Sequence, residues 1–430
     1  MRMRPETTPG GMLTSPRPTS HVPVVYRPPH SRGRGVGAAR IAPIVRCVNT
    51  LPLILGMLAA FAPLSIDMYL PAMPEMAAAL GSDTASAQVT VAAYFLGMAC
   101  GQIVYGPLMD RHGRKAPLYF GVGLFVLASV ACSMAGSLPQ MVAFRVLQAL
   151  GGCAGMVVSR AVVRDVAHLR DPVRLMGRLM LVMGAAPMLA PFLGGLVAHV
   201  AGWRAIFLVL ACFGGLALAM VAFVLPETLP EERRRRVPFS AVLTDYARLL
   251  TDWRMLRPGL TTGFCSGAMF AYISGSPSVL MEVHGIPASQ FGIWFGLNAF
   301  GLIMMSQFTG KLAEWLTREK LISYLMLILL ADAVLLFVAS WLGAPFFVIF
   351  GCLFVIMACM GIVFPVNTVL AMQHFAPVAG TASAILGTLQ FGIGAASGVV
   401  MGAWSDGTGM PMASMMVICF TLAALVWFRR

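Results

Sequence analysis

The stretch Gly106-Pro107-Leu108-Met109-Asp110-Arg111-His112-Gly113-Arg114-Lys115 joins two apolar runs, 87–109 and 116–136. A helix of about 20 apolar residues crosses the hydrocarbon core of a bilayer, and both runs reach that length. Backbone groups in lipid must pair within their own segment, so each run is read as a helix. Gly113 permits a tight reversal between two such helices. Asp110, at a helix end, is placed to meet the positive N-terminus of another helix. A loop that only set topology would need basic residues, but not this order of glycine, acid and arginine. Gly106, Asp110, Arg111, Gly113 and Arg114 are therefore expected to form a conformational latch, with Asp110 set against the start of the eleventh apolar run.

Working outward from this loop, apolar runs fall at 48–70, 87–109, 116–136, 139–163, 176–199, 204–225, 259–281, 289–311, 319–342, 345–369, 379–403 and 410–428. The expected fold is an all-α membrane protein, with twelve transmembrane helices in two six-helix halves. Composition agrees: of 430 residues, 58% are hydrophobic and 11% charged, too few charges to cover a soluble surface of this size. Residues 1–47, with eight arginines, eight prolines and Glu6 as the one acid, read as a disordered cytoplasmic tail or as the product of an upstream start that is not used. The organisation expected is this tail, an N-terminal bundle over 48–228, a cytoplasmic linker over 229–257 and a C-terminal bundle over 258–430.

Lysine and arginine set the orientation. All but two of the 30 lie in the N-terminal tail, the 2–3, 4–5 and 8–9 regions, the central linker or the C-terminus, which share one side. The exceptions are Arg145, inside the fourth run, and Arg204, at the start of the sixth. Both termini are thus expected in the cytoplasm of a bacterial inner membrane. The net charge of +13 reads as a topology signal rather than a nucleic-acid patch. The halves repeat weakly: Gly106, Leu108, Asp110 and Arg114 recur as Gly310, Leu312, Glu314 and Arg318, and Gly177, Gly184 and Gly195 as Gly380, Gly387 and Gly398. Two such repeats suit alternating access by rocking.

Other chemistries find little footing. None of the nine cysteines stands in a Cys-x-x-Cys pair, the histidines lack ligand spacing, and none of the three lysines follows a glycine-rich phosphate loop. An enzyme, a metal site and a built-in ATPase are not expected, and no cofactor is called for beyond the proton as coupling ion.

The 106–115 loop resembles the signature loop of the major facilitator superfamily. Phe144-Arg145-Val146-Leu147-Gln148-Ala149-Leu150-Gly151-Gly152 resembles its fourth-helix motif. Gly184-Ala185-Ala186-Pro187-Met188-Leu189-Ala190-Pro191-Phe192-Leu193-Gly194-Gly195 resembles its fifth-helix antiporter motif, with Ala186 where glycine often precedes the first proline. Pro63-Leu64-Ser65-Ile66-Asp67-Met68-Tyr69-Leu70-Pro71-Ala72, Ala379 to Ala384 and Phe391 to Ala395 are similar to signatures of the bicyclomycin- and chloramphenicol-resistance (Bcr/CflA) drug efflux family. So are Gly202-Trp203-Arg204 with Phe207 and Pro226 to Pro230. The resemblance covers about residues 50–428. It implies a role for Arg145 in proton coupling and places Gly184, Pro187, Pro191, Gly194 and Gly195 at the interface between halves.

Asp67 is the acid to explain. An acid at a helix centre in hydrocarbon costs about 2.5–3.5 kcal/mol on insertion scales, and less near an end. Desolvation favours the neutral carboxyl and a nearby cation favours the anion, so a carboxyl that alternates between these settings takes up and releases a proton. Arg145 keeps its charge and lies at comparable depth on the same side, so the two read as a coupling unit with Asp67 titrating. Asp332, deep in the ninth run, is a weaker coupling candidate, because the ninth helix is peripheral by resemblance. An apolar cavity with a few polar groups is expected from Tyr69, Tyr94, Gln102, Met269, Tyr272, Asn298, Asn367 and Gln390. The resemblance implies a proton-coupled antiporter, acting as a monomer, that exports small amphipathic compounds of bicyclomycin, chloramphenicol or sulfonamide type. Export of a native metabolite such as an amino acid or peptide, or a non-transporting receptor or scaffold, are the alternatives.

Overall fold

The computed structural model describes residues 50–165, 172–229, 231–234, 239–375, 378–404 and 406–429, all within one compact unit, Pro43–Arg430. The N-terminal tail and Cys47 lie outside the described residues, as do the side chains of 172–184, Gly184 among them.

The first six spans begin with α1 (Leu51–Asp67), α2 (Val89–His112), α3 (Lys115–Ser133) and α4 (Leu138–Asp165). A continuous helical stretch, Pro172–Phe223, then turns at Gly202 (φ 76°, ψ 170°) and so holds two spans, α5 (172–201) and α6 (203–223). The second six are α7 (Trp253–Pro277, continuing into a π-helical turn Ser278–Val283), α8 (Ala288–Trp315), α9 (Arg318–Trp341), α10 (Phe346–Met372), α11 (Ala379–Trp404) and α12 (Met410–Phe428). The fold is the expected twelve-helix arrangement. Among the described residues, ten helices are long and apolar enough to cross a membrane by length and composition. One of them, Ala185–Phe223, holds part of α5 and all of α6. α7 falls short in hydropathy for a physical reason: it is buried along most of its length, so its Thr261, Thr262, Ser266 and Ser274 face protein rather than lipid.

Small residues let the helices approach. A Cβ added at Gly101 of α2 would lie 2.6 Å from the Cβ of Cys153 on α4, and one at Gly151 of α4 would collide with the Phe125 amide on α3. Arg257 on α7 donates to the Trp427 carbonyl (2.9 Å) and lies over that indole, whose N–H donates to Ser323 (2.9 Å); this binds α7, α9 and α12 at their basic-loop ends.

Two local features differ from the sequence reading. α7 begins at Trp253, ahead of the expected apolar run, because the Asp252 carboxylate accepts the Arg254 amide at 2.9 Å and caps the helix. The polar linker contains a helix, Phe239–Leu249, whose Tyr246 and Leu249 pack with Met255, Ala371, Ala382, Ile385 and Leu386 in an apolar cluster separate from the main core.

Candidate functional site

α1 ends at Asp67, followed by a 3-10 turn Leu70–Ala72 that carries Pro71. A helix end leaves its last carbonyls without intrahelical partners. One of them, Ser65 O, is taken by Arg145 of α4, whose Nη1 donates to it at 2.9 Å and to Gln148 Oε1 at 2.7 Å. Gln148 in turn donates to Ser129 Oγ (2.8 Å), and Ser129 to the Phe125 carbonyl (2.7 Å). The guanidinium is fully buried between the rings of Tyr69 and Tyr94, each centred 4.5 Å away, with Phe207 at 5.9 Å. Arg145 thus caps α1 as a cation at the negative end of the helix dipole, held by two aromatic faces.

Asp67 is buried at the same helix end, and its Oδ1 has no hydrogen-bond partner. Among the described residues no ion pair joins it to Arg145. The structure therefore brings the two to one helix terminus without direct pairing. Tyr272 of α7 accepts from Asn298 Nδ2 of α8 at 2.9 Å and stacks on Phe295. Asn298 Oδ1, both polar atoms of Asn367 and Gln102 Nε2 are buried without partners. Phe95 of α2 stacks on Phe270 of α7 with centroids 3.7 Å apart, and Phe391 of α11 lies 5.7 Å from Phe270.

The expected liners divide accordingly. Tyr69 and Tyr94 are walls for Arg145, with the Tyr69 hydroxyl also bonded to Thr90 (3.0 Å). Gln102, Tyr272, Asn298 and Asn367 are buried with polar capacity left over, except that Tyr272 is engaged by Asn298. Met269 packs against the core and Gln390 is half-buried. Asp332 lies on α9, which packs mainly on α10 and α12, apart from the interface between halves.

The α5 motif packs where α1 ends. A Cβ on Gly194 would overlap the Met68 carbonyl, one residue past Asp67. Gly195 faces Pro71 and the Ala288 carbonyl (3.6 Å) of α8. From the other half, Gly292 sits against Pro191 and Phe192, and Gly296 approaches the Met188 carbonyl. Pro187 and Pro191 lie inside this helix. On the same charge-poor face, Gly398 of α11 packs on Ala92 of α2. At the opposite, basic-loop face, Cβ atoms added at Gly106 and Gly380 would meet nothing within 4 Å. The halves touch closely at the charge-poor end, while among the described residues no atom packs on Gly106 or Gly380 at the other.

The 106–115 loop is tied to its own half. Asp110, half exposed, pairs with Arg114 at 3.0 Å instead of meeting the start of α11. Arg114 also pairs with Asp165 at the end of α4 (2.8 Å). Glu227 accepts from the backbone amides of Arg114 (2.9 Å) and Lys115 (3.1 Å), capping α3, and Thr228 donates to Asp165 (3.1 Å). Gly113 has φ +85°, and a Cβ there would lie 2.6 Å from the Glu227 carboxylate. Arg111 is exposed. The roles of Glu227, Asp165, Gln148 and Ser129 were not read from sequence. An acid at the exit of α6 is an ordinary loop residue until the chain folds it onto the first turn of α3.

A family model described as Major Facilitator Superfamily matches residues 55–399. The uncharacterized MFS-type transporter YdgK of Bacillus subtilis (strain 168) is 33% identical over 380 residues, 88% of this chain and 94% of its own. A bicyclomycin resistance protein homolog of Haemophilus influenzae is 28% identical over 385 residues, 87% of this chain and 94% of its own. Among solved structures, the partially occluded inward open xylose transporter XylE from E. coli superposes with a TM-score of 0.67 at 15% identity, covering 90% of this chain and 97% of that one.

Proposed function

Since the chain belongs to the Major Facilitator Superfamily, we propose that it is a proton-coupled exporter of small amphipathic drugs that works by alternating access. The basic-loop face is placed in the cytoplasm, and the proton is carried by Asp67. The observation that supports this most is the position of Asp67. It is a buried carboxyl with an unpartnered oxygen, on the helix end that Arg145 caps and beside which Gly194 packs on Met68. Any rocking of one half on the other changes what surrounds it. The fixed charge of Arg145, two residues away through the Ser65 carbonyl, biases the carboxyl without neutralising it outright. The unpartnered atoms Gln102 Nε2, Asn298 Oδ1 and both polar atoms of Asn367, with the Phe95–Phe270–Phe391 stack, offer hydrogen bonds and ring faces to a flat amphipathic cargo. Kinship with a bicyclomycin resistance homolog points to the same class of cargo.

The driving force suffices. A tenfold gradient of a neutral solute costs about 1.4 kcal/mol, and one proton crossing about 100 mV supplies about 2.3 kcal/mol. Asp67→Asn is expected to abolish proton-driven efflux while leaving expression intact. The test is chloramphenicol and bicyclomycin transport in inverted vesicles, beside a susceptibility panel in an efflux-deficient bacterium. Undiminished uphill transport by Asp67→Asn would overturn the assignment.

A further inference from the structure

The seam between α2 and α11 runs in a regular register. Ala92 packs on Gly398, the Ala99 carbonyl accepts from Thr388 (3.4 Å), and Gln102 lies against Gly387. Continued one more turn toward the basic loops, this register would set Gly106 opposite Ser383 and Asp110 beside the start of α11. That contact is absent: around Gly106 there is open space. The seam forks just past Gln102.

Tyr246 of the linker helix stands at the fork. Its ring packs with the cluster formed by Ala382, Ile385 and Leu386 of α11 and Ala371 of α10, all in the second half. Its hydroxyl donates, at a long 3.4 Å, to the Ile103 carbonyl of α2, in the first half. That carbonyl is available for a covalent reason. In a helix it would accept the amide four residues on, which belongs to Pro107, and proline has no N–H. The proline in the signature loop thus leaves an open acceptor one residue past the last close α2–α11 contact. Burial pushes the Tyr246 phenol up to about 12, so it remains a donor at any physiological pH.

We propose that Tyr246 is a wedge, carried by the linker helix, that holds the α2–α11 seam apart at the basic-loop face and must withdraw before that face can close. Tyr246 spans from the α11 cluster to the Ile103 carbonyl, across the approach that Gly106 and α11 would make in the closed form. The linker is then a control element on the transport cycle, and anything that pulls the linker helix from its apolar seat favours closure. The proposal rests on rocking of the two halves, but not on the identity of the cargo or of the proton carrier.

The test measures a distance in the full chain and needs no transport. Spin labels at His112→Cys and His374→Cys report the gap at the basic-loop face, in a background with Cys47, Cys100, Cys212 and Cys359 changed to alanine. Tyr246→Phe keeps the ring and loses the hydroxyl. It is expected to move the ratio of wide to narrow distances about two- to tenfold toward narrow. Tyr246→Ala removes the ring as well and is expected to move it further. A shift in Tyr246→Ala alone assigns the effect to the ring, and the wedge stands. Unchanged distributions in both variants, or a wider gap in either, overturn it. Asp67→Asn transport is read separately, so failure here leaves the antiport reading untouched.

Discussion

Arg145 is chosen for geometry as much as for charge. A planar guanidinium can lie between the Tyr69 and Tyr94 rings while reaching both the Ser65 carbonyl and Gln148 in the plane. A lysine ammonium has no planar face to lie between those rings, and its stem is shorter. Arg145→Lys is expected to leave one of these buried acceptors unmet, at a cost of about 1–3 kcal/mol. It should appear as a lower melting temperature in detergent together with reduced coupled transport. A lysine variant with wild-type melting and transport would count against the cap. Position in an apolar run is enough to mark Asp67 and Arg145 as costly and therefore functional candidates. That Arg145 binds a backbone carbonyl instead of the Asp67 carboxylate could not be read from the chain, because it depends on where α1 ends against α4. Asp332 shows the converse. Depth alone made it a candidate, and packing of α9 mainly against α10 and α12 puts it away from the seam.

At the scale of helices, close approach is set by glycine. Gly194 of α5 admits the Met68 carbonyl, which no side chain would allow. Gly194→Ala is expected to push α5 off the end of α1, at about 1–3 kcal/mol of overpacking. Because this contact lies within one half, beside the helix end that carries Asp67, the shift displaces that site, and transport should drop about tenfold with expression unchanged. A transport rate equal to wild type would exclude the contact from the cycle. Glycine and proline spacing in α5 was legible in the sequence as a pliable, close-packing face. Its partners, Met68 within the half and Ala288, Gly292 and Gly296 across it, were not, because several glycine-bearing helices compete for such a face. The linker helix was hidden for another reason: its apolar residues are few, and they become a packing surface only beside the ends of α10 and α11.

Over the whole molecule, the distribution of basic loops carries the prediction of orientation. A cysteine at Asp406, in the exposed turn where the Thr408 hydroxyl and amide hold its carboxyl below the usual range, should react with a membrane-impermeant maleimide added to intact cells. A cysteine at His374 should react only after the membrane is opened, and the reverse pattern would invert the topology. What the sequence determined by itself was the number and helical nature of the spans, their grouping in two halves and the short roster of intramembrane charge. All of these follow from one local rule, that a backbone in lipid must pair within its own run and that charge there is expensive. The tertiary structure alone decided that α5 and α8 meet closely at the charge-poor face and that Asp110 pairs with Arg114. It also placed Glu227 on the first turn of α3 and Tyr246 between α11 and the Ile103 carbonyl. These contacts join residues far apart in the chain, which no local pattern of apolar and charged residues encodes.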